Sequence, residues 1–247
     1  MSNSQEKGRK KVEDFPLLSS GELHLWQVST DITPTEFEEF KSVLVEKELT
    51  KVPFFKFKQA QDSYITSQGA LRILLAGYLG ITPKLVKLGQ RRKGKPYSID
   101  DERLYFNMSH SGNLTVLAFS YDSEVGIDIE QIRPLPDLDE MINKNFTTSE
   151  IKFIIAKPEE KISRFFRFWT VKESYLKAIG EGMRLTPDNL EFIIENNSVR
   201  QLSVKGIFDQ QDWNFREFSV PNDYVGTITY GRENTIINHI AFNTLIS

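Results

Sequence analysis

Six residues restrict this chain more than any others. Val125 to Glu130 read VGIDIE, with apolar and non-apolar positions in strict alternation. Side chains on a strand point to opposite faces in turn, so Val125, Ile127 and Ile129 share one side while Gly126, Asp128 and Glu130 share the other. A strand of this kind buries its apolar side, and here it carries two carboxylates next to each other on the opposite side. Further along, Phe165 to Met183 (FFRFWTVKESYLKAIGEGM) has the spacing of an amphipathic helix, with Phe165, Trp169, Leu176 and Ile179 along the apolar stripe. Glu173 borders that stripe, and Lys177 stands one turn on at i+4, on the same face.

Read separately, neither element is diagnostic. Paired strand carboxylates equally describe a solvated sheet face, and Glu-x-x-x-Lys describes a surface ion pair worth about 0.3–0.5 kcal/mol. Taken together, Asp128, Glu130 and Glu173 make a hard, oxygen-only donor set of the kind that suits Mg²⁺, which takes substrate phosphate oxygens among its ligands. A lysine beside such a set meets a phosphate as a point charge. The combination points towards phosphoryl chemistry.

Composition narrows the surroundings. A length of 247 residues allows one large domain or two small ones, and 39% hydrophobic residues are enough for a sizeable core. The net charge of −3 argues against a general nucleic-acid binder, which needs a basic excess. With no cysteine there is no disulfide framework and no zinc-thiolate site, and with no signal segment the cytoplasm is the expected location. No apolar run has the length of a membrane span. Residues 1–18 read as a flexible polar tail, ahead of an N-terminal lobe at 19–122 and a C-terminal lobe at 123–247.

In the first lobe Leu23 to Val28 alternates as a strand, and Asp31 or Thr33 caps a helix running to Leu44. Lys51 to Lys58 is a basic connection, followed by a helix from Asp62 to Leu79 that Gly80 closes. Gln90 to Tyr97 is a basic turn shaped by Gly94 and Pro96, in which Lys95 is the residue to hold. Leu104 to Met108 and Leu114 to Ser120 are strands around a polar turn, Ser109-His110-Ser111-Gly112, whose hydroxyl, imidazole and backbone N–H groups could hold an anion. The second lobe opens in the same way. Its strand leads to a helix over Asp137 to Asn143, and Thr147 with Glu150 forms a capping box for another. The long helix follows, and strands are expected at Leu190–Ile194, Val199–Phe208, Trp213–Val220, Tyr224–Tyr230 and Thr235–Phe242. Tyr64-x-Thr66 and Phe168-x-Thr170 enter the two long helices, so the chain reads as a duplicated α+β unit with a ligand cleft between its halves.

Four segments in order carry a resemblance: GKP (Gly94 to Pro96), FNMSHSG (Phe106 to Gly112), GIDIE (Gly126 to Glu130) and FWTVKESYLKAIGEG (Phe168 to Gly182). They resemble the 4′-phosphopantetheinyl transferases of the two-lobed, surfactin-synthetase-activating type. The resemblance implies a pseudo-dimer of two similar α+β lobes with coenzyme A between them. It also implies transfer of the phosphopantetheine arm to a serine of an apo acyl or peptidyl carrier protein, with release of 3′,5′-ADP. Asp128, Glu130 and Glu173 would be the ligands of Mg²⁺, with Mn²⁺ as the alternative, and Glu173 would also activate the serine hydroxyl. Lys177 would hold the pyrophosphate, His110 a phosphate with Ser109 beside it, Lys95 the adenosine and phosphate end, and Thr66 the nucleotide. The upstream residue that grips the 3′-phosphate stays open among Lys51, Lys56 and Lys58. The same type implies a monomer, free of nucleic acid and membrane. A coenzyme A-binding relative without transfer activity, or a Mg²⁺-dependent phosphohydrolase, would use the same residues.

Overall fold

A computed structural model describes residues 15–91, 94–180, 186–195, 198–204, 212–233 and 235–242. The first lobe runs through β1 (Glu22–Ser29), α1 (Pro34–Ser42), α2 (Glu46–Leu49), α3 (Lys58–Leu79), the hairpin β2 (Leu88–Gln90) and β3 (Pro96–Ser98), β4 (Tyr105–Ser111) and β5 (Leu114–Ser120). The second repeats that order with β6 (Val125–Gln131), α4 (Leu138–Asn145), α5 (Thr148–Ile155), α6 (Lys161–Ile179), the hairpin β7 (Leu190–Glu195) and β8 (Ser198–Val204), β9 (Asn214–Glu217) and β10 (Tyr224–Tyr230). The two sheets are built alike, as β1-β5-β4 and β6-β10-β9, with antiparallel neighbours. The chain is therefore an α+β pseudo-duplication. A final strand, β11 (Ile236–Ala241), crosses back and pairs in parallel with β1. The first sheet thus takes its edge from the end of the chain, a crossover that a linear division at residue 122 does not contain.

Each long helix ends on a left-handed glycine, Gly80 (φ 65°) or Gly180 (φ 67°), the conformation that stops a helix at no steric cost to glycine. Thr33 with Glu36 and Thr147 with Glu150 form the capping boxes of α1 and α5. Helix α3 begins at Lys58, a turn before Asp62, because Phe57 is still extended and the Pro53 segment ahead of it is a short 3₁₀ turn. The polar turn expected at Ser109–Ser111 is instead the last three residues of β4; only Gly112 (φ 54°) and Asn113 turn the chain. Of the expected tail, residues 1–14 lie outside the described residues, as do Arg92, Lys93, residues 181–185 and residues 205–211 of the strand expected to reach Phe208. Phe15 is not tail-like. It stacks on Trp26 (5.8 Å) and meets Tyr78 edge-on (4.9 Å), because an aromatic at the edge of a core gains more by burial than by solvation.

Three apolar clusters hold these parts. One lies between α3 and its sheet, around Trp26, Leu74, Leu117 and Phe119. A second surrounds Phe165, Phe168 and Tyr175 on α6. The third joins the lobes, with Leu23, Leu25, Val116 and Ala118 of the first sheet against Val125, Ile127, Ile129 and Ile228 of the second. In both lobes the long helix also buries a cation on a glutamate from the preceding short helix. Arg72 Nε lies 2.7 Å from Glu48 Oε2, with Nη1 on the carbonyls of Pro83 and Val86. Lys172 Nζ lies 2.6 Å from Glu150 Oε2 and donates to the carbonyls of Asn145, Pro187 and Leu190. Both Lys172 and Glu150 side chains have 0% exposure. Removing one partner strands the other charge, so Lys172→Ala is expected to cost about 3–5 kcal/mol in urea unfolding. Lys172→Met with Glu150→Gln, which keeps an acceptor for the Thr147 and Phe192 N–H groups, should cost less.

Candidate active site

Helix α6 crosses β6 where the strand has no side chain. A Cβ on Gly126 would lie 2.0 Å from the Ser174 carbonyl oxygen and 2.4 Å from the Ala178 nitrogen. Glycine therefore sets how closely helix and strand approach. Around that crossing hydroxyl pairs bridge helix and sheet, Thr170 with Thr227 (3.0 Å) and Ser174 with Thr229 (2.8 Å), while Val225 and Phe215 on the same face pack in the α6 cluster. The face of β6 that carries the carboxylates is thus covered by the helix that carries Glu173 and Lys177, and the solvated-face reading fails. Asp128 is 4% exposed.

The other wall is β4 of the first lobe, whose polar side chains recur with the period of a strand. Asn107 Oδ1 accepts from the Ile127 N–H (2.9 Å), Ser109 Oγ donates to Asp128 Oδ1 (2.8 Å), and Ser111 Oγ donates to Glu130 Oε2 (2.7 Å). Lys177 Nζ closes the group, donating to Asp128 Oδ1 (2.7 Å), Ser109 Oγ (2.9 Å) and the Ile127 carbonyl (3.2 Å). Asp128 Oδ2 is buried and has no hydrogen-bond partner. Burial raises the pKa of Glu173, with the Asp128 charge adding to it and Lys177 opposing it. Burial likewise raises that of Glu130, where Ser111 acts in the opposite direction and Asp128 adds to the rise. Too little positive charge faces these acids. Yet they do not converge on one point: among the described residues no three His, Cys, Asp or Glu side chains have the spacing of a metal site.

The remaining expected residues divide. His110 alternates to the other side of β4, opposite Thr115, whose hydroxyl meets Ser67 on α3 (2.7 Å). It has a solvent-accessible edge; the protein around it and then the Lys177 ammonium lower its pKa, with Asp128 acting against them. Thr66, beside Ser67, is fully buried with an unpartnered hydroxyl. Lys95, like Lys177, is held by protein acceptors in the chain by itself. Its ammonium donates to Glu124 Oε2 (2.6 Å), the Ala178 carbonyl (2.9 Å) and the Val125 carbonyl (3.0 Å), so all its donors are engaged by protein. It staples the β2–β3 hairpin to the start of β6 and the end of α6. A turn at Ser109–Ser111 hides the contribution of Ser111, and the strand expected over Leu104–Met108 does not by itself single out Asn107. The period of two in Phe106-Asn107-Met108-Ser109-His110-Ser111 was the signal available.

A carboxyl whose pKa is raised on folding is stabilising while protonated and destabilising once ionised. Glu173→Gln should therefore raise the melting temperature of the metal-free protein near neutral pH, and the gain should vanish below the ordinary glutamate value of about 4.5. Thermal unfolding in a chelating buffer across that range measures it; an equal effect at all pH values would contradict the raised pKa.

Comparison with known proteins agrees with this architecture. The family model described as "4'-phosphopantetheinyl transferase superfamily" matches residues 124–229, and "4'-phosphopantetheinyl transferase, N-terminal" matches residues 26–122. The two matches meet between β5 and β6. The chain is 33% identical to the 4′-phosphopantetheinyl transferase HetI of Nostoc sp. over 213 residues, covering 76% of this chain and 90% of HetI. It is 34% identical to the 4′-phosphopantetheinyl transferase gsp of Aneurinibacillus migulanus, over 67% of this chain and 68% of that one. With the 4′-phosphopantetheinyl transferase of Bacillus subtilis it shares 29% identity, over 58% and 63% respectively. Extended similarity to HetI and two family models that together span both lobes place the chain in the 4′-phosphopantetheinyl transferase superfamily, and it is an enzyme of that family.

Proposed function

We propose that this enzyme transfers the 4′-phosphopantetheine arm of coenzyme A to a serine of an apo acyl or peptidyl carrier protein, releasing 3′,5′-ADP, at the seam between lobes 19–122 and 123–247. The observation that carries the site is the gathering of Asp128, Glu130, Glu173 and Lys177 where α6 crosses β6, with Asp128 Oδ2 buried and unpartnered. An orphaned carboxylate oxygen beside two acids of raised pKa fits a divalent cation. The oxygen-only donors favour Mg²⁺, with Mn²⁺ as the alternative. Asp128, Glu130 and Glu173 would hold it after their side chains turn towards one point, which they do not share in the chain by itself. Bound there, such an ion neutralises charge on the pyrophosphate of coenzyme A and polarises its phosphorus.

The residues of the chain supply the rest. The carrier serine Oγ forms a bond to the β-phosphorus as the bond from that phosphorus to the bridging oxygen breaks, and 3′,5′-ADP carries the electron pair away. Glu173 accepts the hydroxyl proton at a carboxylate oxygen. Lys177 donates from Nζ to phosphate oxygens, and His110 supports a phosphate from the far side of β4. Thr66 offers its unpartnered hydroxyl to the nucleotide. Lys95, whose ammonium meets Glu124 and two carbonyls in the chain by itself, is assigned to the adenosine and phosphate end.

We take the enzyme to work as a monomer in the cytoplasm, without nucleic acid. Among the described residues no helix is long and apolar enough to cross a membrane. Incubation with coenzyme A, Mg²⁺ and an apo carrier protein should add the phosphopantetheine mass to the carrier, read by mass spectrometry. Glu173→Gln and Asp128→Asn should each slow this by at least about 10²-fold. Full transfer by either variant would remove that residue from the mechanism, and phosphate release without a carrier would indicate a hydrolase.

A further inference from the structure

Two serines of the first lobe face two carboxylates of the second, and each is oriented from behind by a group that can only donate. The Gln131 N–H donates to Ser111 Oγ (3.1 Å), and the Lys177 ammonium donates to Ser109 Oγ (2.9 Å). A hydroxyl has one proton and two lone pairs. With a lone pair occupied by the N–H donor, the proton of Ser111 is directed to Glu130 Oε2 (2.7 Å) and that of Ser109 to Asp128 Oδ1 (2.8 Å). Each carboxylate is thereby held through one oxygen, and the other oxygen is left uncommitted by the serine. For Asp128 that other oxygen is the buried, unpartnered Oδ2.

We propose that Ser111, with Ser109 in the same arrangement one strand period before it, is a positioning residue that presents Glu130 and Asp128 to the divalent cation. This rests on the metal reading given above. The serines touch the carboxylates and not the reacting atoms, so they act through ligand orientation, the outer contact that commonly changes metal affinity by about 10–100-fold when removed. Because they belong to β4, the arrangement makes the cation site of the second lobe depend on the first lobe being docked.

The test is Mn²⁺ binding to the full chain without coenzyme A, followed by the electron paramagnetic resonance signal of free Mn²⁺. Ser111→Ala should weaken Mn²⁺ binding by about 10-fold or more, and Ser111→Thr, which keeps the hydroxyl, should recover wild-type affinity. Asn107→Ala is the control: it removes a neighbouring contact across the same seam, to the Ile127 N–H, without touching a carboxylate, and should leave Mn²⁺ affinity unchanged. Wild-type affinity in Ser111→Ala, or an equal loss in Asn107→Ala, would overturn the positioning role. Asp128→Asn separates the two levels. If it leaves Mn²⁺ binding intact, the metal reading falls and this inference with it; if it abolishes binding while Ser111→Ala binds normally, the inference falls alone.

Discussion

Everything in the site depends on how closely α6 lies on β6. Gly126 permits a backbone-to-backbone approach that any side chain would prevent, since even a Cβ would sit 2.0 Å from the Ser174 carbonyl. That approach withdraws Asp128 from water and brings Glu173 and Lys177 over the strand. It also explains why Glu173 and Glu130 are held above the ordinary glutamate pKa. Burial raises both, the Asp128 charge adds to the rise, and Lys177 at Glu173 and Arg133 at Glu130 only oppose it. The fold gives up stability here to hold Glu130 and Glu173 beside Asp128.

The pseudo-duplication shows which parts are scaffold and which are chemistry. Each lobe has the same strand order, a long helix, a hairpin and a buried cation–glutamate anchor, Arg72–Glu48 in one and Lys172–Glu150 in the other. The residue after each anchor differs in kind: Ile73, packed on the first core, and Glu173, in the site. The strands differ in the same sense. Trp26 and Val28 of β1 belong to the core beneath α3, whereas Gly126 and Asp128 of β6 lie beneath α6. One copy of the unit filled its helix–sheet interface with apolar groups, and the other placed polar function there and relies on the first for its second wall.

Much of this was legible before any coordinates. Alternation in VGIDIE assigned Gly126, Asp128 and Glu130 to one face, the i, i+4 spacing placed Glu173 beside Lys177, the capping box at Thr147 started its helix where expected, and of Asp31 and Thr33 it is Thr33 that caps the first. These are local regularities, set by backbone periods of 2 and 3.6 residues and by single hydrogen bonds. What failed was also local in form but tertiary in cause. Ser109-His110-Ser111 has the composition of a turn, yet it continues β4 because its two serines find carboxylates on a strand of the other lobe. The acceptors that hold Lys95, on Glu124, β6 and α6, are likewise brought to it only by the tertiary structure.

The sequence by itself determined the elements, their faces, the repeat of the α+β unit and the family, because each of these follows from spacing along one chain. Only the tertiary structure decided that the carboxylate face is covered instead of solvated, that β11 returns to β1, and that β4 supplies the hydrogen bonds orienting Asp128 and Glu130. Those outcomes depend on which surfaces meet across long separations. That is governed by close packing at Gly126 and by the need of buried polar groups to find partners, and neither leaves a period in the sequence.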